Sequence, residues 1–194
     1  TNNLAYPSII ASGKNACILH YHQNNSALKK EQLILVDAGC AVNQYASDIT
    51  RTFPYKSKFN SEQQALYEAV LDTQIYCISL LRPNVLWSGI HQAACKRITE
   101  HLIELKYLTG SIQQAMEQKA YQEYFPHGIG HSIGLDVHDV PFKTLKENMV
   151  VTIEPGLYIP DAGIGIRIED NILITKQGSE NLSHEALKTI KDIN

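Results

Sequence analysis

Residues 125–139 read FPHGIGHSIGLDVHD, which places His127, His131 and His138 within twelve positions of one another and separates them with glycines. Glycine lets the backbone turn tightly enough for imidazoles to converge. A loop of solvated histidines would have the same composition, so the flanking stretches decide the reading. Upstream lies VDAGCAVNQYASDITRTF at 36–53, and downstream VVTIEPGLYIPDAGIGIRIED at 150–170. Each places carboxylates at the ends of apolar runs: Asp37 after LILV, Glu154 after MVVTI and Glu169 after IGIRI. Carboxylates rarely occupy such positions unless something offsets their desolvation, and a metal ion commonly does.

Adding Asp48 and one histidine gives four carboxylates and an imidazole. A single divalent ion would leave that set over-supplied and strongly negative. Two ions about 3.5–4 Å apart, with bridging carboxylates, would use all of it. Oxygen donors with a single nitrogen suit Mn²⁺ better than they suit a thiolate-rich zinc site, with Co²⁺ and Zn²⁺ as alternatives. Two such ions can hold a water between them, lower its pKa and aim the hydroxide at a carbonyl carbon, so hydrolysis is the expected reaction.

Composition narrows the field. A chain of 194 residues is long enough for one substantial core, so residues 1–194 are expected to form one domain. The formal charge of −3, with Lys and Arg scattered, gives no basic footprint for nucleic acid. No apolar run approaches the length of a bilayer span and no signal peptide opens the chain, so the expectation is a cytoplasmic protein without a membrane partner. The four cysteines have no C-x-x-C spacing and read as reduced thiols.

Periodicity supplies the elements. Residues 16–21 and 32–37 read as strands, and 38–53 as a hairpin or pair of short strands with Asn43 at the turn. Ser61 and Gln64 have capping-box spacing ahead of an amphipathic helix that Arg82-Pro83 would stop. Ser88 opens a second helix, with Gly110 beyond its end and His91 and His101 read as surface residues. Residues 111–124 read as a shorter polar helix, 149–153 and 164–175 as strands, and 183–194 as a short helix or frayed end. This order predicts an α+β fold, a curved antiparallel sheet with helices packed on its outer face, rather than a βαβ repeat.

The motifs resemble a known family. Asp37-Ala-Gly with Asp48-Ile-Thr-Arg-Thr-Phe-Pro, His127-Gly-Ile-Gly-His131 with Gly-Leu-Asp-Val-His138-Asp, Thr152-Ile-Glu-Pro-Gly-Leu-Tyr158 and Arg167-Ile-Glu169-Asp look like the metal-binding domain of Xaa-Pro aminopeptidases (aminopeptidase P). These are peptidases of family M24, the proline-specific branch of the pita-bread (creatinase/aminopeptidase) fold. The resemblance runs from about Tyr6 to about Thr175.

It implies that Asp37 chelates one metal, that Asp48 and Glu169 bridge both, and that His131 and Glu154 complete the other. Glu154 would exchange a proton with the bridging water. His138 and His20 match histidines lining the substrate site, with His138 placed to hydrogen-bond the scissile carbonyl or its tetrahedral successor. His127 and Arg167 match a further pocket histidine and an arginine that orients the carboxylates, and Tyr158 falls near the pocket.

The implied substrates are peptides with proline at the second position, and the whole protein would form a homo-oligomer. Prolidase, which shares these ligands but cleaves dipeptides, is the alternative enzyme. A non-catalytic pita-bread binding module is the alternative class, disfavoured because all five ligand positions are filled. Family members carry an N-terminal domain and open the catalytic domain with helices before the Tyr-Pro-Ser segment. None of that precedes Tyr6 here, so the chain is expected to be a C-terminal catalytic fragment.

Overall fold

A computed structural model describes residues 3–193 of the chain. Strand β3 (Leu33–Ala38) lies between β2 (Ile9–Ser12) and β6 (Ile49–Pro54), antiparallel to both, with Asp37 paired to Ile9 on one side and Thr50 on the other. Leu33, Ile34 and Leu35 are all buried, as a central strand covered on both faces requires. Between β3 and β6, β4 (Cys40–Val42) and β5 (Tyr45–Ala46) form a hairpin, and β1 (Asn3–Leu4) pairs along its edge. Asn43 and Gln44, at φ of 49° and 73°, make the two-residue left-handed turn whose twist matches such a hairpin.

Two helices follow, α1 (Ser61–Ser79) and α2 (Trp87–Glu104). Leu66, Val70 and Cys77 on α1 and Ile90, Ala94, Ile98 and Leu102 on α2 are buried at helical spacing, and the two helices pack on each other. A short helix, α3 (Ile112–Glu117), and a 3₁₀ turn at Ala120–Glu123 lead into the histidine-rich stretch. The chain closes with β7 (Val150–Ile153), β8 (Gly156–Ile159), β9 (Ile164–Arg167), β10 (Asp170–Thr175), β11 (Gly178–Asn181) and α4 (Ile190–Ile193).

These last strands position the site. β7 pairs with β10 up to Ile153↔Asp170, and β8 pairs with β9 from Gly156↔Arg167. One register runs through both ladders, so in the gap between them Glu154 falls opposite Glu169 and Pro155 opposite Ile168. Proline interrupts the ladder because it has no N–H to donate. Backbone hydrogen bonds join the segments sideways: Glu169 N–H donates to Thr50 O (3.0 Å) on β6, Glu154 N–H to Ile129 O (2.8 Å) and Thr152 N–H to His131 O (2.8 Å). A curved antiparallel surface therefore runs from the histidine stretch to β2. Ile153 and Ile168 point into the core that α1 covers. Glu154 and Glu169, one residue on, emerge on the opposite face by the two-residue period of a strand.

Several expectations are corrected. Residues 16–21 form no strand: the 3₁₀ turn Gly13–Cys17 occupies the first part, and the partner of β3 is β2. Ala16 and Tyr21 are apolar because they are buried, Ala16 against Gly165 of β9, where a Cβ would meet the Ala16 carbonyl at 2.2 Å. The isoleucine-rich stretch 164–175 is two strands broken at Ile168-Glu169, each paired to a different neighbour. The α1 capping box lies one residue earlier than predicted. The Asn60 side chain accepts from Gln63 N–H (2.8 Å), and Gln63 Oε1 accepts from Asn60 N–H (3.1 Å). α2 begins at Trp87, one residue before Ser88, with Leu86 at the cap and no side-chain cap bond, and it ends at Glu104, with Lys106 left-handed and Gly110 beyond. Its two histidines are half-buried, and His101 Nε2 lies 2.7 Å from Asp72 Oδ2 of α1.

Candidate metal centre

All nine predicted site residues line one cavity of about 260 Å³: His20, Asp37, Asp48, His127, His131, His138, Glu154, Arg167 and Glu169. The local sequence explains how. Asp37 is on β3 and Asp48 immediately precedes the neighbouring strand β6. Glu154 and Glu169 form a non-hydrogen-bonded antiparallel pair, each N–H being turned outward to another segment. Such pairs bring side chains closest, and two like charges directly opposite repel. His131 reaches the same space because Gly130 lets its segment press against β7, where a Cβ would sit 2.0 Å from Thr152 O.

The donors converge without satisfying one another. His131 Nδ1 faces the Ser132 carbonyl at 3.0 Å, so Nδ1 carries the hydrogen and the Nε2 lone pair points at the acids. Nε2 is 3.4 Å from Glu154 Oε1, 3.7 Å from Asp48 Oδ2 and 4.0 Å from Glu169 Oε1. Glu169 Oε1 is buried and has no hydrogen-bond partner among the described residues. Ligand atoms of Asp48, His131 and Glu169 all lie within 4.8 Å of one another. A lone pair aimed at carboxylate oxygens beside an orphaned buried oxygen is the donor set of a divalent cation.

The electrostatics agree. Burial first, then the Asp37 charge, pushes the Asp48 carboxyl up to about 7. Burial, with Asp48 and Asp37 adding to it and Arg167 opposing, raises Glu154 to about 8. Burial and then Glu154 drive Glu169 well above the carboxylate range. Burial lowers His131, which favours the neutral imidazole that can ligate.

Further hydrogen bonds tie these groups to the strands around them. Arg167, buried on β9, donates from Nη2 to Asp37 Oδ2 (2.7 Å), from Nε to Thr50 Oγ1 (3.2 Å) and from Nη1 to Tyr158 Oη (3.0 Å). Tyr158 Oη in turn lies 2.8 Å from His127 Nε2, and His127 Nδ1 is 2.8 Å from the Gly128 carbonyl. Every donor in that chain meets an acceptor if His127 is neutral, and burial lowers its pKa to about 4. The His138 ring stands edge-on to His131 at 4.2 Å, and the His20 ring stacks near His22.

Three residues with no predicted role belong here. Tyr6 Oη is 2.5 Å from both Asp37 Oδ1 and Asp48 Oδ1. Thr50 Oγ1 donates to Glu169 Oε2 (2.7 Å), and Thr152 Oγ1 donates to Glu154 Oε1 (3.2 Å) while accepting from His131 N–H (3.0 Å). The threonines were discoverable: each lies two residues from a site acid, hence on the same strand face. Nothing local marks Tyr6.

The profile of metallopeptidase family M24 matches residues 1–176. The chain belongs to metallopeptidase family M24. Among its M24 relatives, the Xaa-Pro aminopeptidase of Haemophilus influenzae is 42% identical over 203 residues, covering 97% of this chain and 47% of that protein. The Xaa-Pro aminopeptidase of Escherichia coli is 40% identical and is covered over 46% of its length. Zinc-substituted E. coli aminopeptidase P in complex with product superposes with a TM-score of 0.95 at 40% identity, over 98% of this chain and 47% of that one. The M24 chain thus has the expected pita-bread fold, and it spans about half the length of the curated relatives it matches.

Proposed function

We propose that this chain is the catalytic, metal-binding part of an Xaa-Pro aminopeptidase, a hydrolase that releases an N-terminal residue from a penultimate proline. The observation that carries the reading is the register placing Glu154 opposite Glu169, with the His131 lone pair and Asp48 turned into the same space. Two divalent ions fit this donor set, and its preponderance of oxygen favours Mn²⁺. Asp37, Asp48, His131, Glu154 and Glu169 would hold them, with Asp37 at one end of the set and His131 and Glu154 at the other. When bound, the pair supplies Lewis acidity and lowers the pKa of the attacking water.

The chain's own residues do the rest. Glu154, whose Oε1 lies 3.4 Å from His131 Nε2 in the cavity, can take a proton from the nucleophile and pass it to the leaving nitrogen. His138 lines the cavity beside His131 and donates to the carbonyl oxygen as charge develops there. Arg167 holds Asp37 and, through Tyr158, keeps His127 neutral and oriented at the cavity wall. His20 lines the same cavity and contacts substrate. Proline selectivity rests on the likeness to the named relatives. Its physical sense is that an Xaa-Pro bond has no N–H to recognise and a ring that restricts both sides.

The test is Mn²⁺-supplemented hydrolysis of an Xaa-Pro-Xaa tripeptide beside an Xaa-Pro dipeptide by the full-length protein. Cleavage of the tripeptide before proline is expected. Cleavage of the dipeptide alone moves the assignment to prolidase, and cleavage of neither despite two bound ions removes the proline specificity.

A further inference from the structure

Pro155 leaves a defect behind the metal centre, and a side chain from α1 fills it. Residues opposed at a hydrogen-bonded position of an antiparallel pair exchange two N–H···O=C bonds. Ile168 and Pro155 are so opposed, and Ile168 N–H donates to the Pro155 carbonyl at 3.3 Å. The return bond cannot form, because proline has no N–H. The Ile168 carbonyl instead accepts from Gln74 Nε2 at 3.2 Å, and the same nitrogen donates to the Ile153 carbonyl at 3.1 Å. Those two carbonyls belong to the residues immediately before Glu169 and Glu154.

Gln74 is 0% exposed. A buried amide is costly unless each polar atom is paired, and here each is. Its Oε1 accepts from Lys188 Nζ at 2.7 Å. An ammonium only donates and a carbonyl only accepts, so the orientation of the amide follows from its three partners. Lys188 is itself held by Asp170, which also takes Arg51 Nη2 (2.6 Å), while Arg51 Nη1 donates to the Glu169 carbonyl at 2.6 Å. The backbone carrying Glu169 is thus gripped from Arg51 on one side and Gln74 on the other.

We propose that Gln74 is a positioning residue for the metal centre: its amide supplies the hydrogen that Pro155 lacks, and so holds the backbone that sets Glu154 opposite Glu169, where both would serve as ligands. This rests on the reading of Glu154 and Glu169 as ligands.

The test uses the full-length protein with Gln74→Met, Pro155→Ala and the double variant. Mn²⁺ binding is measured by calorimetry, the visible absorption of the Co²⁺-loaded protein is recorded, and thermal melting is followed alongside. Gln74→Met is expected to weaken binding of at least one ion roughly 10-fold and to shift the Co²⁺ bands. Adding Pro155→Ala restores a backbone N–H opposite Ile168 and should recover most of that loss. If Gln74→Met melts earlier but binds Mn²⁺ as the parent does, or if the double variant recovers nothing, the proposal is overturned. Lys188→Met, at a partly exposed position, frees the amide without removing it and should weaken binding in the same direction by a smaller factor. Should Gln74→Met not fold, unchanged affinity in Lys188→Met overturns the proposal. A parent protein that binds no Mn²⁺ would instead sink the ligand reading itself.

Discussion

Removing the metal should make the protein's stability fall with pH in a range where most proteins change little. In the metal-free state the folded pKa of Asp48 is raised to about 7 and that of Glu154 to about 8. An acid whose folded pKa exceeds its unfolded value keeps its proton longer when folded. Its contribution is therefore full below the unfolded pKa and is lost as pH rises through the folded one. Buried His91, His127 and His131 act oppositely, since their folded pKa values lie below the ordinary 6.5, and that gain is complete by about pH 7.5, where the unfolded imidazoles are neutral as well. Between about pH 6.5 and about pH 8.5 the carboxyls dominate, and in the upper half of that window they outlast the histidines. Integrating over those two units, Asp48 and Glu154 together remove about 3 kcal/mol, and Glu169 adds to the loss. For a chain of this size that corresponds to a fall in Tm of roughly 10 °C. The assay is calorimetric melting of chelator-treated protein across that range, repeated with saturating Mn²⁺. With metal, the ions neutralise the carboxylates and binding to the folded state alone raises Tm, so the slope should vanish. A metal-free Tm that is flat or rises over this window, or a slope that Mn²⁺ leaves intact, would refute the reasoning.

Further outcomes can be checked separately. Asp48→Ala or Glu169→Ala should abolish binding of the metal pair, read by elemental analysis after desalting. His138→Ala should retain both ions and lower kcat on the order of 10²-fold, and metal loss in that variant would remove the role assigned to His138. Gly130→Ala forces a Cβ to within 2.0 Å of Thr152 O and should destabilise the fold by about 3 kcal/mol, with weakened metal binding because His131 is displaced. A melting curve like that of the parent would show that the strand yields more readily than the geometry implies.

How much of this was legible in the sequence differs by residue. The helices were legible because apolar residues recur at helical intervals, and the β4–β5 turn because Asn43 tolerates the left-handed conformation. The strand misread at 16–21 had the right burial for a different reason, being packed against β9 rather than paired. Likewise the alternating isoleucines of 164–175 read as one strand, and the break at Ile168-Glu169 is caused by Pro155 on the opposing segment.

Asp37, Glu154, Glu169 and the histidines of 127–138 could be selected from the sequence because a carboxylate at the end of an apolar run, or an imidazole among glycines, has an anomaly that is local to the chain, whereas Asp48 entered by its place on a facing strand and His20 only by the family resemblance. Residue type suggested metal binding by the set, and the individual roles came from the family resemblance. Which residues oppose each other followed from neither, since register depends on pairings between distant segments. Only the tertiary structure put Glu154 across from Glu169, brought Tyr6 to Asp37 and Asp48, and carried Gln74 from mid-helix to the carbonyls behind both glutamates. A tyrosine or glutamine in an ordinary local setting bears no mark of its role, because that role is defined by the unsatisfied groups that folding sets beside it.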